Sequence, residues 1–416
     1  MEVLKGAALI GQSGGPTAAI NATLAGAISE MIECKNSGCA ITAVYGMRNG
    51  IEGFLDERIV DLYEVFGGAD GENNLLTLSH TPAAALGSCR KKLPDPEKDG
   101  EFYEKLIALF KKYDIRYFFY IGGNDSMDTV AKLSAYTANC DYEMRIVGLP
   151  KTIDNDLCGT DHTPGFGSAA KHVATTLQEI CLDCAVYTVP AVTIVEIMGR
   201  DAGWLTASAG IPKLYGSAAP DLIYLPERAF SVDDFLRDVR AELEKKPNVV
   251  VAVSEGIRDA EGKYICELNR SAGLDVFGHK ALTGTGKALE YIVKDAIGCK
   301  VRSVELNISQ RCAAHIASKT DIDESLAVGA AGVKASVDGE SGVMMAIIRE
   351  DSAVYSVHCE PMKVAGIANQ VRSVPQEMIS KAGNYVTDGC IRYLAPLIDG
   401  EVGIEYENGL PKVFMI

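Results

Sequence analysis

The sequence has no run of about 18 apolar residues, the length a membrane-spanning helix requires. Its opening, MEVLKGAALIGQSGG, lacks the longer apolar run and the small-residue cleavage site of a secretory leader, and is expected to form a first strand. Basic residues are in deficit: 40 Lys and Arg face 56 Asp and Glu, a formal net charge of −16. That excludes a general nucleic-acid binder, which needs a basic footprint. A small anionic substrate is still allowed, provided a local cluster of cations works against the global field. Cys181 and Cys184 form a CxxC, but no second pair follows at zinc spacing, and the surrounding TTLQEICLDCAVYTV has a helical pattern, so the pair reads as one helical turn. Without a leader, the twelve cysteines are expected to be reduced thiols in the cytoplasm. Internal repeats and low-complexity segments are also missing.

What is present is an alternation of short apolar runs and helical patterns over 416 residues. GAALIG (6–11), AITAVYG (40–46), RYFFYIGG (116–123), MRIVGLP, AVTIVEIMG (191–199), DLIYLPE (221–227) and NVVVAVSEG (248–256) read as strands. AAINATLAGAISEMIE (18–33), FYEKLIALFKKYD (102–114), SMDTVAKLSAYTA (126–138) and GSAAKHVATTLQEICLDCA (167–185) read as helices between them. Near-continuous apolar strands alternating with helices predict an α/β protein of two lobes, each a mainly parallel sheet covered on both faces. GVMMAIIRED and AVYSVHCEP predict a small hairpin, and residues 56–80 and 86–100 irregular connections.

Ligands of such sheets bind beyond the carboxyl ends of the strands. Four of these ends carry polar, glycine-containing loops. GQSGGPTAAINA (11–22) offers Gly11, Gly14 and Gly15 for close backbone approach to an anion, although a plain strand-to-helix turn fits equally. GGNDSMDT (122–129) has a metal-capable Asn124–Asp125 pair and Ser126, which would also serve as a helix cap. In PKTIDND, Asp154 and Asp156 would project to one side of an extended segment, one to hold Mg²⁺ and the other to accept a hydroxyl proton; an Asx-rich turn is the plain alternative. MGRDAGWLTASAG (198–210) puts Arg200 at a helix start, a poor place for a cation by the helix dipole, which favours a role in binding an anion; an ordinary arginine at a helix start is the plain alternative.

Taken together, GGNDS, PKTIDND and EIMGR resemble the phosphofructokinase family, from Gly11 to about Arg311. The resemblance implies the phosphofructokinase-like two-lobed fold, with residues 1–160 and about 312–416 forming a phosphoryl-donor lobe and 161–311 a sugar-phosphate lobe. It also implies roles for individual residues. Asp154 takes the proton of the sugar 1-hydroxyl, beside Lys151 and Thr152. Asp156 and Asn124 hold Mg²⁺. Gly11, Arg90, Asn124, Asp125, Ser126 and Lys151 meet the donor. Thr152, Asp154, Met198, Gly199, Arg200, Glu255, Arg302 and Arg311 meet the sugar phosphate.

ATP-dependent members of the family read PGTIDND and GGDGS where this sequence has PKTIDND and GGNDS. Asp125 fills space, and adds negative charge, where a nucleotide's further phosphate and ribose would run. Lys151 supplies a positive charge suited to a compact phosphoanhydride. Both replacements resemble the pyrophosphate-dependent branch, and Arg90 in GSCRKK (87–92), followed by Lys91 and Lys92, fits it too. The reaction implied is a reversible, Mg²⁺-dependent transfer from pyrophosphate to the 1-hydroxyl of fructose 6-phosphate in glycolysis, by a cytoplasmic homo-oligomer (dimer or tetramer) that binds neither nucleic acid nor membrane. The alternatives are an ATP-dependent phosphofructokinase or related sugar kinase, and a non-catalytic partner subunit. The sequence departs from the family pattern at three positions. Asn124 stands where a metal-binding aspartate is usual. Ala191 stands where many members have an arginine that reaches a neighbouring subunit, and Ile308 where a substrate-contacting His or Tyr is common. The last two leave room for a longer ketose phosphate such as sedoheptulose 7-phosphate.

Overall fold

The structure is a computed structural model that describes residues 4–268, 284–367 and 370–416. Thirteen strands are found among them: β1 (Gly6–Gln12), β2 (Ile41–Met47), β3 (Ile59–Asp61), β4 (Ile115–Gly122), β5 (Arg145–Pro150), β6 (Ala191–Ile197), β7 (Leu222–Tyr224), β8 (Asn248–Ser254), β9 (Lys300–Glu305), β10 (Val343–Arg349), β11 (Val357–Lys363), β12 (Tyr406–Glu407) and β13 (Leu410–Pro411). They form a seven-stranded sheet of order β11-β10-β5-β4-β1-β2-β3, a four-stranded sheet of order β7-β8-β6-β9 and a two-stranded hairpin. The four-stranded sheet is wholly parallel. In the larger sheet only the edge strands β3 and β11 run antiparallel to their neighbours. The protein is therefore an α/β protein built on parallel-dominated sheets flanked by helices.

Strand periodicity explains the cores. In β1, alternate residues go to opposite faces: Ala8 and Ile10 pack with Leu24, Ile28 and Phe119, while Leu9 packs with Phe54, Phe110 and Phe118. In β6, Val195 and Ile197 join Trp204 and Leu177 on one face, and Val192 and Ile194 join Phe235 and Leu289 on the other. Both faces are buried, so the strands have no polar alternation to show, and this is why they read as continuous apolar runs.

Three expectations need correction. Residues 56–80 are not irregular: they hold β3 and the helices Leu62–Phe66 and Gly71–His80, the first capped by Asp61, whose carboxylate accepts from the backbone N–H groups of Tyr63 and Glu64. The predicted hairpin is β10–β11, but it is no separate unit, because β10 pairs in parallel with β5 and extends the large sheet. The assignment of everything beyond residue 312 to the first lobe does not describe Val374–Leu397. That stretch contributes Ile379, Val386, Cys390, Ile391 and Leu394 to the core of the smaller sheet, and the Asn384 carbonyl accepts from the Ile223 N–H at 2.8 Å. Cys181 and Cys184 lie on the helix Phe166–Ala185, and all twelve cysteines are free thiols. Among the described residues, no helix is long and apolar enough to cross a membrane.

Candidate active site

Strand order reverses at β1, flanked by β2 and β4, and again at β6, flanked by β8 and β9. Reversals of this kind open crevices at the carboxyl ends of strands. The two crevices face one cleft of about 470 Å³, lined by the loops after β1, β4, β5, β6, β8 and β9.

The floor is the segment after β5. Lys151 is buried, and its ammonium donates to the Gly15 carbonyl at 2.7 Å. Gly14 adopts φ +77, and a Cβ there would lie 3.3 Å from Lys151 Nζ; one on Gly15 would lie 3.4 Å from Arg311 Nη1. The two glycines thus let the first loop approach two cations. Burial pulls the Lys151 ammonium down to about 8, and the nearby cations Arg90 and Arg311 act in the same direction; Asp154 and Asp156 oppose them. Burial and the charge of Asp156 push the Asp154 carboxyl up to about 7, against the pull of Lys151 and Arg200. The segment is not extended as expected. Asn155 sits at φ +54, a left-handed conformation that Asn tolerates, and its Oδ1 accepts from the Thr163 N–H at 3.1 Å. Asp154 and Asp156 line the same cleft because of this turn rather than by strand alternation. Thr152 Oγ1 accepts from the Asp154 N–H at 3.1 Å, which fixes the start of the turn.

The helix Asn124–Thr137 begins at the second wall. Ser126 does not cap it: Gly123 is the cap residue, and Ser126 is a buried residue of the first turn that lines the cleft. Asn124 Nδ2 donates to Asp156 Oδ2 at 3.3 Å, and its Oδ1 is buried with no hydrogen-bond partner. An orphaned amide oxygen beside a carboxylate suits a divalent cation. Among the described residues no cluster of three or more His, Cys, Asp or Glu forms a complete metal cage. One carboxylate and one amide oxygen make the kind of sparse donor set that Mg²⁺ takes from a protein, the rest of its shell being water and phosphate oxygens. Asp125 stands at the mouth, paired with Lys92 at 2.9 Å, and Arg90 and Lys91 line the same end.

The opposite wall comes from the smaller sheet. Met198, Arg200, Asp201, Glu255 and Arg311 line it. Gly199 adopts φ +133, where a Cβ would press to 2.5 Å from the Ala202 carbonyl oxygen. Its N–H points at Glu255 Oε1 (3.4 Å), and its carbonyl accepts from Ser254 Oγ (2.5 Å). Burial, with Asp154 nearby, pushes Glu255 up to about 7. Gln310 is buried and accepts from the Met198 N–H at 3.3 Å, tying the loop after β9 to the loop after β6.

Two expected site residues lie elsewhere. Gly11 is inside β1, where a Cβ would meet Met47 at 2.5 Å; its role is packing, and Ser13, Gly14 and Gly15 form the loop that reaches the cleft. Arg302 is in the middle of β9, beside Thr193, and lines a separate groove with Glu179, Asp183 and Cys184. The cleft gathers the loops beyond the strands' carboxyl ends, so Arg311 reaches it and Arg302 does not. Ala191 opens β6, and Ile308 is exposed; neither lines the cleft. Sequence reasoning missed Asp201, Asn155 and Gln310. The Asn of TIDND was the one legible signal among them, as a residue type suited to a left-handed turn.

A family model described as phosphofructokinase matches residues 7–334. The chain belongs to the phosphofructokinase family. It is 42% identical to the pyrophosphate–fructose 6-phosphate 1-phosphotransferase of Xanthomonas campestris pv. campestris, over 97% of this chain and 94% of that one. It is 40% identical to the protein of the same name from Halomonas elongata, over 98% and 95%. The crystal structure of a pyrophosphate-dependent phosphofructokinase from Nitrosospira multiformis superposes with a TM-score of 0.86 at 37% identity, covering 98% of this chain and 95% of that one. This phosphofructokinase therefore aligns with those relatives along nearly its whole length.

Proposed function

We propose that this phosphofructokinase transfers a phosphoryl group reversibly from pyrophosphate to the 1-hydroxyl of fructose 6-phosphate, giving fructose 1,6-bisphosphate and phosphate. The observation that carries the choice of donor is the buried Lys151 ammonium on the cleft floor, with Asp125 at the mouth. Lys151 and Arg90 neutralise a compact phosphoanhydride, and Asp125 occupies the route a nucleoside would take. Arg200 and Arg311 hold the sugar phosphate as guanidinium forks, and Glu255 accepts from sugar hydroxyls.

Asp154 is the base. Its carboxyl, raised to about 7, is poised to accept the 1-hydroxyl proton near neutral pH as the oxygen attacks the phosphorus. Phosphoryl transfer asks little more of a protein than alignment and charge neutralisation. Asn124 and Asp156 would hold Mg²⁺, which supplies charge neutralisation on the phosphate oxygens when bound. Arg302, outside the cleft, is available to a second copy of the chain in a homo-oligomer. A cytoplasmic location accords with twelve unpaired thiols.

The test is a donor comparison. With Mg²⁺ and fructose 6-phosphate, the purified enzyme should turn over with pyrophosphate and far less with ATP, and should regenerate pyrophosphate from fructose 1,6-bisphosphate and phosphate. Equal or faster turnover with ATP would overturn the donor assignment.

A further inference from the structure

Behind the cleft floor lies a buried ionic cluster that the proposed chemistry does not use. At its centre is His162, 1% exposed, on the segment joining Asp156 to the helix Phe166–Ala185. Its Nδ1 is 2.8 Å from Asp161 Oδ2, and its Nε2 is 2.6 Å from Glu324 Oε2. An ionised carboxylate only accepts hydrogen bonds, and a neutral imidazole has a single N–H to give. Two carboxylates on the two ring nitrogens therefore call for a ring with both protons. The surroundings agree. Glu324, on the helix Lys319–Val337, is buried; its other oxygen accepts from the Tyr355 hydroxyl at 2.6 Å, and the cation it touches is His162. Asp161 also takes Arg349 of β10 at 3.0 Å. Tyr393 donates to the Asp161 carbonyl at 2.7 Å and accepts from Arg372 at 3.0 Å. Asp321, on the helix of Glu324, and Cys359, on β11, complete the titratable groups that sense this cluster.

The cluster is joined to the reacting loop through hydrogen bonds of the residues beside it. Thr163, next to His162, donates its N–H to Asn155 Oδ1 at 3.1 Å and its hydroxyl to the Thr152 carbonyl at 2.8 Å. The Pro164 carbonyl accepts from the Thr152 N–H at 3.2 Å, and the Arg372 N–H donates to the Asp156 carbonyl at 2.8 Å.

We propose that His162 is a positioning residue: as an imidazolium clamped between Asp161 and Glu324, it holds the segment that keeps Thr152 to Asp156 in reacting geometry, an inference that rests on the pyrophosphate-dependent function. Burial alone would lower the ring's pKa; the hydrogen bonds and charges of Asp161 and Glu324 outweigh it and raise the pKa above the ordinary histidine value.

The ring's protonation can be read directly by ¹⁵N NMR of histidine-labelled enzyme, which contains six histidines. The signal missing in His162→Gln, or the one displaced in Glu324→Gln should that variant not fold, belongs to His162. It should show both nitrogens protonated at pH 7.5; one unprotonated nitrogen would overturn the proposal. In kinetics, His162→Gln should lower kcat about ten- to a hundredfold, the range expected of a remote misplacement, with KM values close to wild type. Adding Glu324→Gln should restore part of kcat, because the glutamine then no longer faces a buried, unpaired carboxylate. Wild-type kcat in His162→Gln, or a double variant no better than the single, would refute the positioning role. The NMR result needs no substrate, so failure of the pyrophosphate reading and failure of this one are told apart.

Discussion

Lys151 Nζ donates to the carbonyl of Gly15 at 2.7 Å, so the loop after β5 is bolted to the loop after β1 by the side chain that distinguishes PKTIDND from PGTIDND. Lys151→Gly should remove both the bolt and the charge and mainly weaken pyrophosphate use. Combined with Asp125→Gly, which also frees Lys92, it should open the mouth and raise turnover with ATP relative to pyrophosphate. Steady-state assays with both donors check this; a folded double variant that gains nothing on ATP would show that other walls of the cleft exclude the nucleotide.

Asp154→Asn keeps the shape of the side chain and removes the proton acceptor. A general base contributes about 10² to 10⁴ in rate, roughly 3 to 5 kcal/mol at about 1.4 kcal/mol per decade. The variant should lose kcat by that order with substrate KM values little changed. Retention of more than about a tenth of kcat, above the general-base range, would put the base elsewhere.

The pH profile of kcat/KM for pyrophosphate should be bell-shaped. Asp154 and Glu255, both raised to about 7, must ionise, so activity falls as pH drops through about 7. Their limb belongs to the carboxylate cluster as a whole. Lys151, lowered to about 8, must stay protonated, so activity falls as pH rises through about 8. Lys151→Arg, whose guanidinium stays charged, should flatten the alkaline limb; an unmoved limb would assign it to another group.

Metal dependence should move in opposite directions at two neighbours. Asn124→Asp adds a charged oxygen where an amide oxygen now lacks a partner, and should reduce the Mg²⁺ concentration needed for half-maximal rate. Asp156→Asn should increase it. Magnesium titrations of the two variants beside wild type decide the point, and a shift in the same direction for both would argue against a shared ion.

Much of this was legible in the residues. The interior strands declared themselves because burial on both faces leaves an uninterrupted apolar run, as in RYFFYIGG. The loops were legible because four of them, each open to a plain reading as a turn or cap, fall at strand ends in one chain. What could not be read were relations between distant parts. Nothing local in GVMMAIIRED reveals that Val343 will pair with Val147. Nothing in RSVELNISQR separates Arg311 from Arg302, since that depends on where β9 ends relative to the cleft. Helix Leu62–Phe66 is too short to show a period, and its cap by Asp61 is an ordinary turn signal in sequence.

The cleft has two owners. Asn124, Asp125 and Lys151 follow strands β4 and β5 of the seven-stranded sheet, while Met198, Arg200, Glu255 and Arg311 follow strands β6, β8 and β9 of the four-stranded one. Each set is supported by its own hydrophobic interior. Under the proposed roles, substitutions in the first set are expected to change the phosphoryl donor and spare the sugar, and substitutions in the second to change the sugar and spare the donor. The two sets meet in the loop after β5, where Thr152, Asp154 and Asp156 line the cleft.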